Sequence, residues 1–192
     1  MIKTIEKLKA LQDTNLVKYV IYSFDDLKIN YWGITKCANT SVRKALQQKQ
    51  KTFRNITPKQ AIESDYYNFT VIREPVERFI SMYKWNLTNP DLCYLAEPLD
   101  IDSLLEMIQK QNDADRNVHF RTQSYFIEHQ NKVIPALYGV HQLSEIEQKL
   151  GIQIPRLNQS RLTTEKPVSL SEKQLNTIEQ IYKTDFNIWK ML

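Results

Sequence analysis

The stretch Tyr31–Ala45, YWGITKCANTSVRKA, constrains the chain most. A β-branched and aromatic run, Ile29–Ile34, passes through a polar turn into a helix whose Val42, Ala45 and Leu46 form an apolar face. An α-helix leaves its first N–H groups without intrahelical partners, and its dipole adds positive potential at the same end. Thr40 or Ser41 is a suitable cap for that end, and Lys36 stands in the turn just before it. Together with the backbone of Cys37, Ala38 and Asn39, these groups make a cradle for a phosphate- or sulfate-sized anion.

The rest of the chain repeats the strand-to-helix alternation. Ile2, Ile5 and Leu8 recur at helical spacing, and Val17–Phe24 reads as a first strand. The polar run Gln47–Asn55 ends the helix that follows the cradle. Asn68–Arg73 is a strand closed by Glu74-Pro75, and proline suits a first helical position. The helix after it carries a stripe of Val76, Phe79, Ile80 and Tyr83, which leaves Arg78, Ser81 and Trp85 on the opposite face. Ile101–Gln109 is a helix with Leu104, Leu105 and Ile108 inward, and Lys132–Val140 holds a β segment. Ser144-x-x-Glu147 opens a helix ending at Gly151, and Ser169-x-x-Glu172 opens a last one through Tyr182. Short strands alternating with helices predict an α/β chain with a mainly parallel central sheet flanked by helices. Its 192 residues are expected to form one domain. With three glycines, few turns are expected to use positive φ.

A net charge of +4, without a dense basic run, suits an anionic small ligand better than a nucleic acid. Two cysteines far apart and three histidines without helical pair spacing argue against a disulfide scaffold or a metal site, and favour a reducing compartment. The N-terminal MIKTIEKLKALQD lacks the apolar core of a signal peptide, and no stretch approaches a membrane span. The expectation is a soluble, cytoplasmic protein.

Three chemistries fit the cradle. A strand running into a lysine turn and a capped helix follows the logic of a P-loop, although the GxxxxGK[ST] pattern is absent. Cys37 and Arg43 also stand in the C-x5-R spacing of a cysteine-dependent phosphatase, where a thiolate attacks and the arginine grips the oxyanion. The third reading is a capped surface helix with a solvated lysine. A second candidate anion site comes from FTVIREPVERFISMYKWN: Arg73 ends a strand and Ser81 follows it by eight residues.

KCANTSVRKAL and FTVIREPVERFISMYK together resemble the two signatures by which Golgi-type carbohydrate sulfotransferases bind 3′-phosphoadenosine 5′-phosphosulfate (PAPS). NVHFRTQSYF resembles that family's H-W-R-P-Q segment with Phe120 and Thr122 substituted, and IPRLNQS and IYKTDFNIW resemble its C-terminal blocks. The resemblance implies a P-loop-like three-layer fold and transfer of a sulfuryl group to a hydroxyl, on a carbohydrate or another acceptor, without a metal. It assigns Lys36 and Cys37–Ser41 to the 5′-phosphosulfate, Arg73 and Ser81 to the 3′-phosphate, and Ser160 and Arg161 to a loop over the nucleotide. A general base is also implied, with His119, Glu63 and Asp65 as candidates, while Arg121 and Gln123 are candidates for ligand contact. A nucleotide-binding module without catalysis fits the same residues.

Overall fold

The computed structural model describes residues 21–93, 95–157 and 167–192. The helix expected over the first dozen residues, the start of the first strand, and the Ser160 and Arg161 loop lie outside them.

Five strands form the central sheet: β1 (Ile21–Phe24), β2 (Ile29–Trp32), β3 (Arg54–Ile56), β4 (Tyr67–Ile72) and β7 (Ala136–Gly139), in the order β3-β1-β2-β4-β7. The short β5 (Glu128–His129) and β6 (Lys132–Val133) pair only with each other. β2, β4 and β7 run parallel, with Trp32 beside Thr70 and Ile72 beside Gly139. β1 is antiparallel to both its neighbours, so the sheet is parallel at its centre and mixed at one edge. The turn between β1 and β2 is only Asp25–Lys28, and so short a connection joins antiparallel strands alone.

Eight helices accompany the sheet among the described residues: α1 (Asn39–Lys49), α2 (Pro58–Glu63), α3 (Pro75–Thr88), α4 (Ile101–Gln109), α5 (Ser124–Ile127), α6 (Leu143–Leu150), α7 (Glu172–Ile181) and α8 (Lys183–Trp189). On one sheet face, Tyr22, Phe24, Tyr31, Phe69 and Val71 pack against Val42, Ala45 and Leu46 of α1 and Ile146 of α6. On the other, Ile21, Trp32 and Ile56 meet Ala61 of α2. These are the three layers. A second core joins Phe79 and Met82 of α3 to Leu104, Leu105 and Ile108 of α4 and to Ile178 and Tyr182. Each such side chain contributes roughly 1.5–3 kcal/mol by leaving water.

Several local expectations shift. α4 keeps its predicted bounds, capped by Asp100. α6 ends at Gly151 as expected (φ 59°), but it begins at Leu143, so Ser144 lies inside the first turn and caps nothing. The box opening α7 is Ser171 with Gln174, two residues beyond the predicted one. The expectation about positive φ fails: Lys28, Lys36, Ala38, Gln130 and Asn131 all adopt it without being glycine. All five stand in turns between elements.

Candidate active site

β2 and β4 end side by side, and the segments leaving their carboxyl ends build the site. In sheets of this kind those ends collect the loops that close on a ligand. β2 runs through Gly33, Ile34 and Thr35 into a turn where Lys36 (φ 66°) and Ala38 (φ 55°) are both left-handed. That conformation costs an L-residue roughly 1–2 kcal/mol. Alternating such residues swings backbone N–H groups to one side, which is how a backbone nest meets an anion. Ala38 occupies the N-cap position of α1 with no side-chain bond, so Thr40 and Ser41 fall in the first turn and do not cap the helix. The left-handed Ala38 starts the helix before either hydroxyl is reached. The donors left over are the N–H groups of Asn39, Thr40 and Ser41. Thr40 is exposed and Ser41 buried. Gly33 permits this packing, since a Cβ there would lie 2.6 Å from Asn39 Oδ1.

The segment after β4 supplies Arg73, whose backbone has passed the end of the sheet ladder. Gln123 takes the place of a neighbouring strand: Arg73 N–H donates to Gln123 Oε1 (2.9 Å), and Gln123 Nε2 donates to the Arg73 carbonyl (2.8 Å). The same Oε1 accepts from the Cys37 thiol at 3.2 Å. Gln123 is anchored in turn by its own N–H, which donates to Asp185 Oδ2 of α8 (2.7 Å), while Ser124 N–H donates to Oδ1 (2.9 Å). Burial pushes the Asp185 carboxyl up to about 6. Arg73 Nε is buried with no hydrogen-bond partner. An orphaned buried guanidinium nitrogen acting on Lys36 suits an anionic ligand.

α3 rotates differently from its apolar pattern. Its buried face is Pro75, Arg78, Phe79, Met82 and Asn86, so Arg78 points inward rather than sharing an outer face with Ser81 and Trp85. Arg78 is 1% exposed. Its Nε donates to the Thr35 carbonyl (3.2 Å) and its Nη1 to the Arg121 carbonyl (2.9 Å), pinning the lysine turn to the segment before α5. Backbone carbonyls at these two points are what draw it in. The sequence offered one signal, an arginine at helical spacing from Met82, and the apolar stripe concealed it. Ser81 is half-buried, three residues beyond Arg78 and four before Trp85.

Lys36 and His119 meet at Trp85. The Lys36 ammonium lies 5.3 Å from the indole centroid, and the His119 ring stacks on the indole at 4.0 Å with planes 25° apart. Burial, then repulsion from Arg73 and Arg78, lowers the Lys36 pKa to about 8, while Cys93 and Cys37 act the other way. Burial, then Lys36 and Arg78, lowers that of His119 to about 4, so its imidazole is neutral at pH 7. Among the described residues, Lys36, Arg73 and Arg78 join no ion pair with a carboxylate. The three side chains form a cation cluster, with the Asp185 carboxyl acting on Arg78 from a distance.

Other candidates go elsewhere. Glu63 is exposed and pairs with Lys59 at 3.7 Å, and Asp65 is exposed just before β4. Both therefore lie toward the amino end of β4, opposite the cluster. Arg121 donates to the carbonyls of Arg116 (3.0 Å) and Ala114 (2.8 Å), and both it and the buried Gln123 are engaged in bonds within the fold. Arg43 turns to Tyr22, donating to its hydroxyl at 3.2 Å. The Cys37 thiol is fully buried, and burial pushes its pKa up.

A family model described as the sulfotransferase family matches residues 14–190. The chain belongs to the sulfotransferase family. No curated protein and no solved structure matches it. For this sulfotransferase-family chain the C-x5-R reading is disfavoured, because burial raises the Cys37 thiol pKa and Arg43 turns to Tyr22 instead of to Cys37. No helix among the described residues is long and apolar enough to cross a membrane.

Proposed function

We propose that this protein transfers a sulfuryl group from PAPS to an acceptor hydroxyl, with a carbohydrate as the expected acceptor. One observation carries the reading: adjacent parallel strands deliver Lys36 and Arg73 to a single cation cluster at the N-terminus of α1. The unpartnered Arg73 Nε, and the lack among the described residues of a carboxylate ion-paired with Lys36 or Arg73, fit a ligand carrying phosphates at two ends. Lys36 and the backbone of Cys37–Ser41 would hold the 5′-phosphosulfate, and Arg73 with Ser81 the 3′-phosphate. PAPS supplies the sulfuryl group and a phosphate leaving group.

The acceptor oxygen bonds to sulfur and its proton passes to neutral His119. The electron pair of the broken S–O bond stays on the nucleotide phosphate, where Lys36 offsets the growing charge. His119 is preferred over Glu63 and Asp65 because it alone stands in the cluster. The test is calorimetric titration with adenosine 3′,5′-bisphosphate. Lys36→Ala and Arg73→Ala should each weaken binding roughly tenfold or more, as expected for a lost charge-assisted hydrogen bond. Unaltered affinity in both variants would overturn the reading, and sulfur-35 transfer to a panel of sugars would identify the acceptor.

A further inference from the structure

His119 has two ring nitrogens, and only the one without a proton can receive another. The neighbouring Asn117 decides which that is. Asn117 is buried, and its Nδ2 donates to the Leu92 carbonyl at 2.9 Å. A carbonyl only accepts, so the amide cannot be reversed, and the atom turned toward His119 is Oδ1. Oδ1 also accepts from the His119 backbone N–H at 3.0 Å, which fixes it from a second side. The His119 Nδ1 lies 2.9 Å from this same oxygen. An amide oxygen carries no proton, so Nδ1 must.

We propose that Asn117 is a positioning residue that holds His119 as its Nδ1–H tautomer, leaving Nε2 with the lone pair that takes the acceptor's proton. The proposal rests on the assignment of His119 as base. Trp85 completes the arrangement, its indole stacked on the ring at 4.0 Å and holding the ring plane while Nδ1 keeps its hydrogen bond. The charged groups acting on the ring are Lys36 and Arg78; both are cationic and oppose protonation in the resting state. During transfer the new imidazolium keeps its Nδ1–H on Asn117 Oδ1, so no second proton has to move. Asn117 acts through His119, its side chain being committed to Leu92 and to His119.

The decisive measurement is long-range ¹H–¹⁵N NMR of the wild-type protein labelled at histidine, which reads the tautomer without any substitution. His119 should show a protonated Nδ1 and an unprotonated Nε2 at pH 7; the reverse pattern overturns the proposal while leaving sulfuryl transfer intact. Kinetics supply the second arm. Asn117→Ala should lower kcat by roughly tenfold or more, part of the ~10²–10⁴ that a positioned base contributes, with binding of the bisphosphate unchanged. Asn117→Asp places a carboxylate on Nδ1–H and should move the acid limb of kcat/KM to higher pH. A wild-type kcat in Asn117→Ala, or an unmoved limb in Asn117→Asp, counts against the positioning role. Failure of the bisphosphate to bind at all would instead sink the donor assignment, and the NMR result would still stand.

Discussion

Lys36 should take up a proton when the nucleotide binds. In the free protein its pKa is about 8 because burial and the flanking Arg73 and Arg78 oppose the charge. A bound phosphate reverses that balance and returns the ammonium toward its ordinary value of 10.5. At pH 8 about half the molecules therefore acquire a proton on binding, and at pH 7 about a tenth do. Phosphate monoesters have a second pKa of about 6, so above pH 7.5 the ligand itself adds little. The sign follows: affinity is full below about pH 7, and Kd rises about tenfold between pH 7 and 9 as Lys36 becomes neutral before binding. Calorimetry at pH 8 in two buffers of different ionisation enthalpy gives the proton count directly. Lys36→Arg, charged throughout, should show no uptake. A flat Kd from pH 7 to 9.5 with zero uptake in the wild type would refute the argument.

Three further outcomes are expected. Arg78→Met leaves the half-buried Thr35 and buried Arg121 carbonyls without their donor and should cost about 1–3 kcal/mol at Arg121 and less at Thr35, read by urea melts. Cys37→Ser keeps a donor for Gln123 and should preserve transfer, whereas Cys37→Ala should lose about 1 kcal/mol of stability; p-nitrophenyl phosphate turnover that vanished with the thiol would revive the phosphatase reading. Asp185 holds its proton more tightly folded, at about 6 against 3.8, so its contribution is largest in acid and falls as pH rises from about 4 to 6. Asp185→Asn should remove that component, and the stability gap between variant and wild type should narrow from pH 4 to pH 7.

The strand-turn-helix logic at both halves of the site was legible in the sequence because it depends on local pattern. β-branched runs gave β2 and β4, Pro75 marked the start of α3, and the Lys36 and Arg73 positions followed from the strand ends. What sequence could not show was which polar residues turn inward. Arg78 and Gln123 are long polar side chains recruited by backbone groups distant in the chain, at Thr35 and Arg73, and nothing local announces that. Thr40 and Ser41 misled for the opposite reason. They are good capping residues, but the left-handed Ala38 ended the turn before they were reached. The base was narrowed only by topology, since β4 separates Asp65 from the cluster by its own length.

Gln123 has a consequence beyond bracing. One amide oxygen receives both the Arg73 backbone and the Cys37 thiol, so the two jaws of the site are tied to a common point. Neither can drift outward unless that tie breaks, and Asp185 anchors it from the C-terminal helix. On the proposed function the opening acts as a fixed gauge, sorting molecules by the separation of their two charged ends. Shortening the gauge by one methylene, in Gln123→Asn, should relax that sorting while every charge in the site stays in place.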